Sequence, residues 1–182
     1  MGRKHIMIFR LDAIGDLILF APGLSGIRSA FSRDEVTLVV DAAVQGLMEE
    51  CPYVDRVIGL DVRRCDSIAG TLQSECNAWP SPVDIAINAM YTRTALSDQL
   101  VARTHAPVKV GYECVDADPD RDRRRSDQVL YTHLIRTNQE WMFEIDRHAE
   151  LLKALGVQID AQVPSAYWLS QKNRDEAAAE LD

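Results

Sequence analysis

Short, continuously apolar runs return at regular intervals along this chain, and each leads into a longer stretch of helical character. The runs span residues 6–11, 36–40, 57–60, 83–88 and 108–111. A strand wetted on one side alternates apolar and polar residues, whereas a strand without alternation is buried on both faces. Helical segments are expected at about 16–31, 44–50, 68–76 and 92–105, the last stopping ahead of Pro107. This β-α-β-α order predicts an α/β fold, a Rossmann-like open parallel sheet with helices on both faces. A chain of 182 residues, 47% of them hydrophobic, can bury the core that such a sheet needs.

The last long helix carries the clearest punctuation. Thr137-Asn138-Gln139-Glu140 fits a capping box, and Trp141, Ile145, His148, Leu152 and Leu155 then fall on one face before Gly156 supplies a stop. Trp141 and His148, on such a stripe, read as packing residues before ligands. Residues 113–127 break the pattern, with Asp116, Asp118, Asp120 and Asp122 beside Arg121, Arg123, Arg124 and Arg125. Alternate aspartates suggest a calcium loop, but Arg121 stands where a glycine is required and no glutamate closes the loop. A solvated, mobile loop is expected there. After Pro164 the chain turns polar and alanine-rich, with Ser170 placed to cap a helix over residues 171–182.

Charge and cysteine usage exclude several classes. A net charge of −8, from 20 Lys+Arg against 28 Asp+Glu, argues against a nucleic-acid partner. Cys51, Cys65, Cys76 and Cys114 form no C-x-x-C pair, so neither a zinc knuckle nor a redox dithiol is indicated, and no metal site is expected. No stretch reads as a signal peptide or a membrane span, and a cytoplasmic location is expected.

Open parallel sheets bind ligands beyond the carboxyl ends of their strands. The first such turn here is Arg10-Leu11-Asp12-Ala13-Ile14-Gly15-Asp16, which runs straight into a helix. A dinucleotide site would need G-x-G-x-x-G, and only Gly15 is present, beside an aspartate that repels phosphate. Two readings of Asp16 remain: a helix cap, or a general base at the cleft edge. Arg10 is equally open, as a structural ion-pair member or a site residue.

The segment Phe9-Arg10-Leu11-Asp12-Ala13-Ile14-Gly15-Asp16-Leu17-Ile18-Leu19, followed by Pro22, resembles the opening of the heptosyltransferase family, glycosyltransferase family nine. Further segments resemble that family in its own order. They are Val36-Thr37-Leu38-Val39-Val40, Pro52-Tyr53-Val54-Asp55-Arg56-Val57-Ile58, Asp84-Ile85-Ala86-Ile87-Asn88 with Arg93-Thr94-Ala95-Leu96, Val110-Gly111-Tyr112, and His148-Ala149-Glu150-Leu151-Leu152-Lys153-Ala154-Leu155-Gly156. The chain departs from the family where Asn88-Ala89-Met90-Tyr91-Thr92 replaces the glycine or histidine-glycine pair common before the arginine.

The resemblance implies the first lobe of a two-lobed, GT-B type, inverting glycosyltransferase. Residues 1–165 would form the acceptor-binding domain, and residues 166–182 would begin a connector to a donor-binding lobe that the chain lacks. The complete enzyme would use no cofactor and no metal. It would move a sugar, heptose by the family's usual theme, from a nucleotide donor such as ADP-heptose to a lipopolysaccharide-core or related glycan acceptor. Asp16 would be the catalytic base. Asp12, Arg93, Arg63 and Arg64 would contact the acceptor. Partners would be a glycan or lipid-linked glycan, the missing lobe, and the inner membrane through peripheral contact. Alone, the chain is expected to be inactive. The alternative is a non-catalytic glycan- or protein-binding module derived from this fold. A signalling receiver is disfavoured, because Lys109 lies at the wrong end of the fifth strand.

Overall fold

The computed structural model describes residues 2–62, 79, 82–113, 121–137, 142–159 and 168–181. Six strands form one sheet: β1 (His5–Arg10), β2 (Glu35–Asp41), β3 (Arg56–Leu60), β4 (Ile85–Asn88), β5 (Val108–Tyr112) and β6 (His133–Ile135). Their order is β3-β2-β1-β4-β5-β6, and every neighbouring pair is parallel. This is the doubly wound Rossmann arrangement, with the order reversing between β1 and β4. The five expected strands are present. β6 is an addition, a three-residue strand too short and too half-exposed to stand out as an apolar run.

Alternate residues of the same strands feed two cores. Ile6 and Ile8 of β1, Leu38 and Val40 of β2, and Ile87 of β4 pack with Leu17, Phe20, Leu24, Ile27, Leu151 and Leu152. Of those six, five belong to α1 (Ile14–Leu19), α2 (Ala21–Ala30) and α5 (Glu144–Lys153), and Phe20 joins α1 to α2. Met7, Phe9, Val39 and Ala86 point the other way, onto Leu100 and Val101 of α3 (Ala95–Arg103) and onto Tyr131. Burial on both faces is why these strands read as apolar runs without alternation, since each side chain faces one helical layer or the other.

Helix boundaries differ from expectation in instructive places. The single helix expected over 16–31 is two, α1 and α2, hinged at Phe20. Pro22 sits in the first turn of α2, where its missing N–H costs nothing, but it could not continue α1. The segment expected as a helix near 44–50 is a 3-10 helix, Ala42–Leu47, capped by the Asp41 carboxylate on the Ala43 amide at 2.9 Å. Within the acidic-basic stretch, residues 121–127 form a helix, α4 (Arg121–Asp127), and Arg123 is anchored to Asp98 and Asp127. The solvated-loop expectation is corrected there by this pairing; residues 114–120 lie outside the described set, as does the helix expected over 68–76.

Residues 138–141, which hold most of the capping box expected from Thr137 and also Trp141, lie outside the described residues. α5 starts at Glu144, with Phe143 at its N-cap and no side-chain cap bond. Its end matches the sequence. Gly156 takes φ 71°, the left-handed conformation that closes a helix, and the Val157 amide reaches back to the Leu152 carbonyl. Ser170 caps α6 (Gln171–Leu181) through its hydroxyl on the Asn173 amide at 3.1 Å. Just before it, Trp168 packs edge-on against Tyr53. No helix among the described residues is long and apolar enough to cross a membrane.

Candidate active site at the sheet switch point

The crevice between the carboxyl ends of β1 and β4 is organised by one fully buried cation. Arg10, the last residue of β1, contributes a guanidinium that touches α1, α5 and the segments that follow β1 and β4. Its Nη1 donates to the Ala89 carbonyl just after β4, and its Nη2 donates to the Asp16 carbonyl at 3.2 Å and to Glu144 Oε1 of α5 at 3.3 Å. Its Nε lies 3.0 Å from Asp12 Oδ1, and the Asp16 carboxylate stands 4.0 Å from Nη2. Arg10 is therefore a structural hub, and three carboxylates surround it. A buried guanidinium without partners would be strongly destabilising, so this pairing is a condition of the fold.

The two carboxylates nominated from the sequence differ in character. Asp12 is mostly buried and Asp16 is 41% exposed at the crevice rim. Burial pushes the Asp12 carboxyl up to about 6; Arg10 opposes this, and the charges of Asp16 and Glu144 reinforce it. Asp16 occupies the third position of α1. The cap position belongs to Ala13, which makes no side-chain cap bond, so Asp16 is not the cap of this helix.

Behind them, α5 supplies a second layer. Glu144 also pairs with Arg147 at 2.7 Å, and Arg147 lies over the Tyr91 ring with its guanidinium carbon 3.9 Å from the centroid. Tyr91 meets Tyr112 edge-on, and the Tyr112 hydroxyl donates to the Arg147 carbonyl at 3.0 Å, with His148 Nδ1 at 3.3 Å. Burial, then the charges of Arg10 and Arg147, hold His148 down to about 3, so the ring is neutral and packs against Phe20. Its reading as a packing residue holds.

Arg93 is placed elsewhere, on the α3 side of the sheet. It is buried, pairs with Asp98 at 2.8 Å and lies over the Tyr131 ring. Asp98 collects a Tyr131 hydroxyl at 2.6 Å and Arg123 at 3.1 Å as well, and Asn88 donates to Tyr131 and Ser97. Burial pushes the Asp98 carboxyl upward against the pull of these donors. The structure thus brings Asp12 and Asp16 together around Arg10, and it sets Arg93 in a separate buried network. Arg63 and Arg64 lie outside the described residues. Glu144, Arg147 and Tyr112 were not anticipated as site residues. No local spacing could have found them, since Glu144 is 134 residues from Arg10. The one available signal was a fully charged Arg10 ending an apolar strand, which demands buried acidic partners.

No family model matches the sequence, and no curated protein matches it. Solved structures do. A glycosyl transferase family 9 structure from Veillonella parvula superposes with a TM-score of 0.77 and 25% identity, covering 98% of this chain and 49% of its own. The E. coli heptosyltransferase WaaC with ADP gives 0.65 at 22% identity, covering 88% and 50%. E. coli ADP-heptose LPS heptosyltransferase II gives 0.62 at 12% identity, covering 98% and 50%. The chain therefore spans about half the length of the solved structures it matches, and its fold is that of glycosyltransferase family 9 structures.

Proposed function

We propose that this chain is the acceptor-side lobe of an inverting glycosyltransferase, with Asp16 as the base and catalysis dependent on a second, donor-binding lobe. The observation that carries this reading is the position of Asp16. It is a rim carboxylate, not used as a cap, at the sheet's switch point, on a backbone pinned by Arg10. Likeness to a family 9 structure supports the reaction class. In that reaction the acceptor hydroxyl attacks the anomeric carbon while its proton passes to Asp16. The bond from that carbon to the diphosphate breaks, and its electron pair leaves with the nucleotide. Groups that steady the departing diphosphate would come from the second lobe.

The donor would be a nucleotide-diphosphate sugar such as ADP-heptose, and the acceptor an anionic core glycan, at the cytoplasmic face of a membrane. Asp12 would orient the acceptor beside Asp16. Arg63 and Arg64, just beyond β3, remain proposed acceptor contacts. Arg93 would act there only if its pair with Asp98 opened. Two exposed apolar side chains favour a second reading, a module that binds another lobe or protein without catalysis. Ile14 at the head of α1 is 48% exposed and Phe143 at the head of α5 is 83% exposed.

Calorimetry and thermal unfolding of the chain with a Kdo-bearing lipid A acceptor, and separately with ADP-heptose, test the assignment. A ligand of the native state raises its stability. Acceptor binding without donor binding is expected, and Asp16→Asn should keep both the fold and acceptor binding. With a donor lobe supplied, Asp16→Asn should lower transfer by about 10²-fold or more. Donor binding by this chain would reverse the lobe assignment, and normal turnover by Asp16→Asn would remove Asp16 from its role.

A further inference from the structure

Arg10 has five N–H groups in a fixed plane, and its hydrogen bonds come from the two terminal nitrogens. Both Nη2 protons are engaged, one by the Asp16 carbonyl at 3.2 Å and one by Glu144 Oε1 at 3.3 Å. The Asp16 carboxylate, at 4.0 Å from the same nitrogen, is left without one. Nη1 donates to the Ala89 carbonyl, and Nε stands beside Asp12. Glu144 is itself held in place by Arg147 at 2.7 Å.

We propose that Glu144 is a positioning residue of this crevice: by holding the Nη2 edge of Arg10 from α5, it stops the guanidinium from closing onto Asp16 and leaves the Asp12–Asp16 pair short of positive charge. A carboxylate pair in that state accepts a proton more readily than one clamped by arginine, because each negative charge disfavours the other. The catalytic meaning of this arrangement rests on the reading of Asp16 as the base, but the arrangement itself does not. The charged and titratable groups packed around the pair are Arg10 of β1, Tyr112 of β5, and Glu144, Arg147 and His148 of α5. The ring of His148 is neutral and the Tyr112 hydroxyl is un-ionised, so Glu144 supplies the negative charge from the α5 side. Burial is the main cause that raises Asp12, and the Glu144 charge adds to it.

The test is a carbon-13 NMR titration of the aspartate carboxyls in the 182-residue chain. Asp12 should titrate near 6 in the wild type. Glu144→Gln keeps the shape and an acceptor for Nη2 but removes the charge, and it should lower the Asp12 midpoint by a few tenths of a pH unit. Glu144→Asp, which withdraws the charge by one methylene and is the gentler change for folding, should move it the same way by less. Asp146→Asn removes an exposed acid from the same helical turn without touching Arg10, and it should leave the midpoint in place. An unmoved or raised midpoint in a folded Glu144 variant would overturn the proposal. So would an equal fall in Asp146→Asn, which would reduce the effect to general helix charge. Because the readout needs no turnover, failed transfer by a two-lobed enzyme would count against the proposed function and not against this inference.

Discussion

Replacing Asp12 with asparagine should make the chain markedly more sensitive to mild acid, for a reason that can be worked from two buried groups of opposite behaviour. His148 is held down to about 3 from an ordinary 6.5. As pH falls through 6.5 the unfolded chain takes up a proton there and the native chain does not, so stability is lost on acidification. Asp12 is pushed up to about 6 from an ordinary 3.8. As pH falls through 6 the native chain takes up a proton there and the unfolded chain does not, so stability is gained. One proton of difference is worth about 1.4 kcal/mol per pH unit. Between roughly pH 4 and 6 the two contributions have opposite sign and nearly cancel.

Asp12→Asn deletes the compensating half. Across those two pH units the variant should lose up to about 3 kcal/mol more than the wild type; with the Asp12 side chain 24% exposed, solvent screening reduces the expected figure to about 2. The assay is urea unfolding at half-unit steps from pH 4 to 7, compared as a difference so that carboxylates remote from Asp12 drop out. His148→Phe supplies the mirror image, gaining stability relative to wild type as pH falls. Parallel stability curves for wild type and Asp12→Asn would refute the reasoning, because they would mean that Asp12 binds no extra proton in the fold.

Two further perturbations probe the packing that supports the crevice. Gly26→Ala would place a methyl group 2.5 Å from the Gln158 carbonyl oxygen, where α2 meets the chain leaving α5. Backbone cannot yield as a side-chain tip can, so a net loss of about 1–3 kcal/mol is expected in urea unfolding despite alanine's better helix propensity. Tyr131→Phe removes a hydroxyl that donates to Asp98 at 2.6 Å and accepts from Asn88 at 2.8 Å. That leaves a buried carboxylate one donor short, at a cost of about 1–3 kcal/mol, read by the same unfolding experiment.

What could be read from the chain alone was whatever local chemistry dictates. Mostly apolar runs without alternation at 6–11, 36–40 and 83–88 require burial on both faces, and parallel β1, β2 and β4 provide it. Gly156 ends a helix because it alone adopts a positive φ at no steric cost, and Ser170 starts one because its hydroxyl can reach an amide three residues on. Asp12 and Asp16 were legible for the same reason, being a few residues past the first strand. Tertiary structure decided the rest. β6 is a strand only because β5 offers it an edge, and residues 121–127 are ordered by the reach of Arg123 to Asp98, not by any pattern of their own. α5 begins at Glu144, a start that no side-chain cap marks, and there its first turn meets Arg10. Arg93 illustrates the limit most clearly. Its place after β4 fits a crevice residue, yet burying a guanidinium depends on finding a carboxylate, and Asp98 on α3 draws it to the opposite face. Which buried charge meets which partner is a property of three-dimensional neighbours, and no spacing along the chain encodes it.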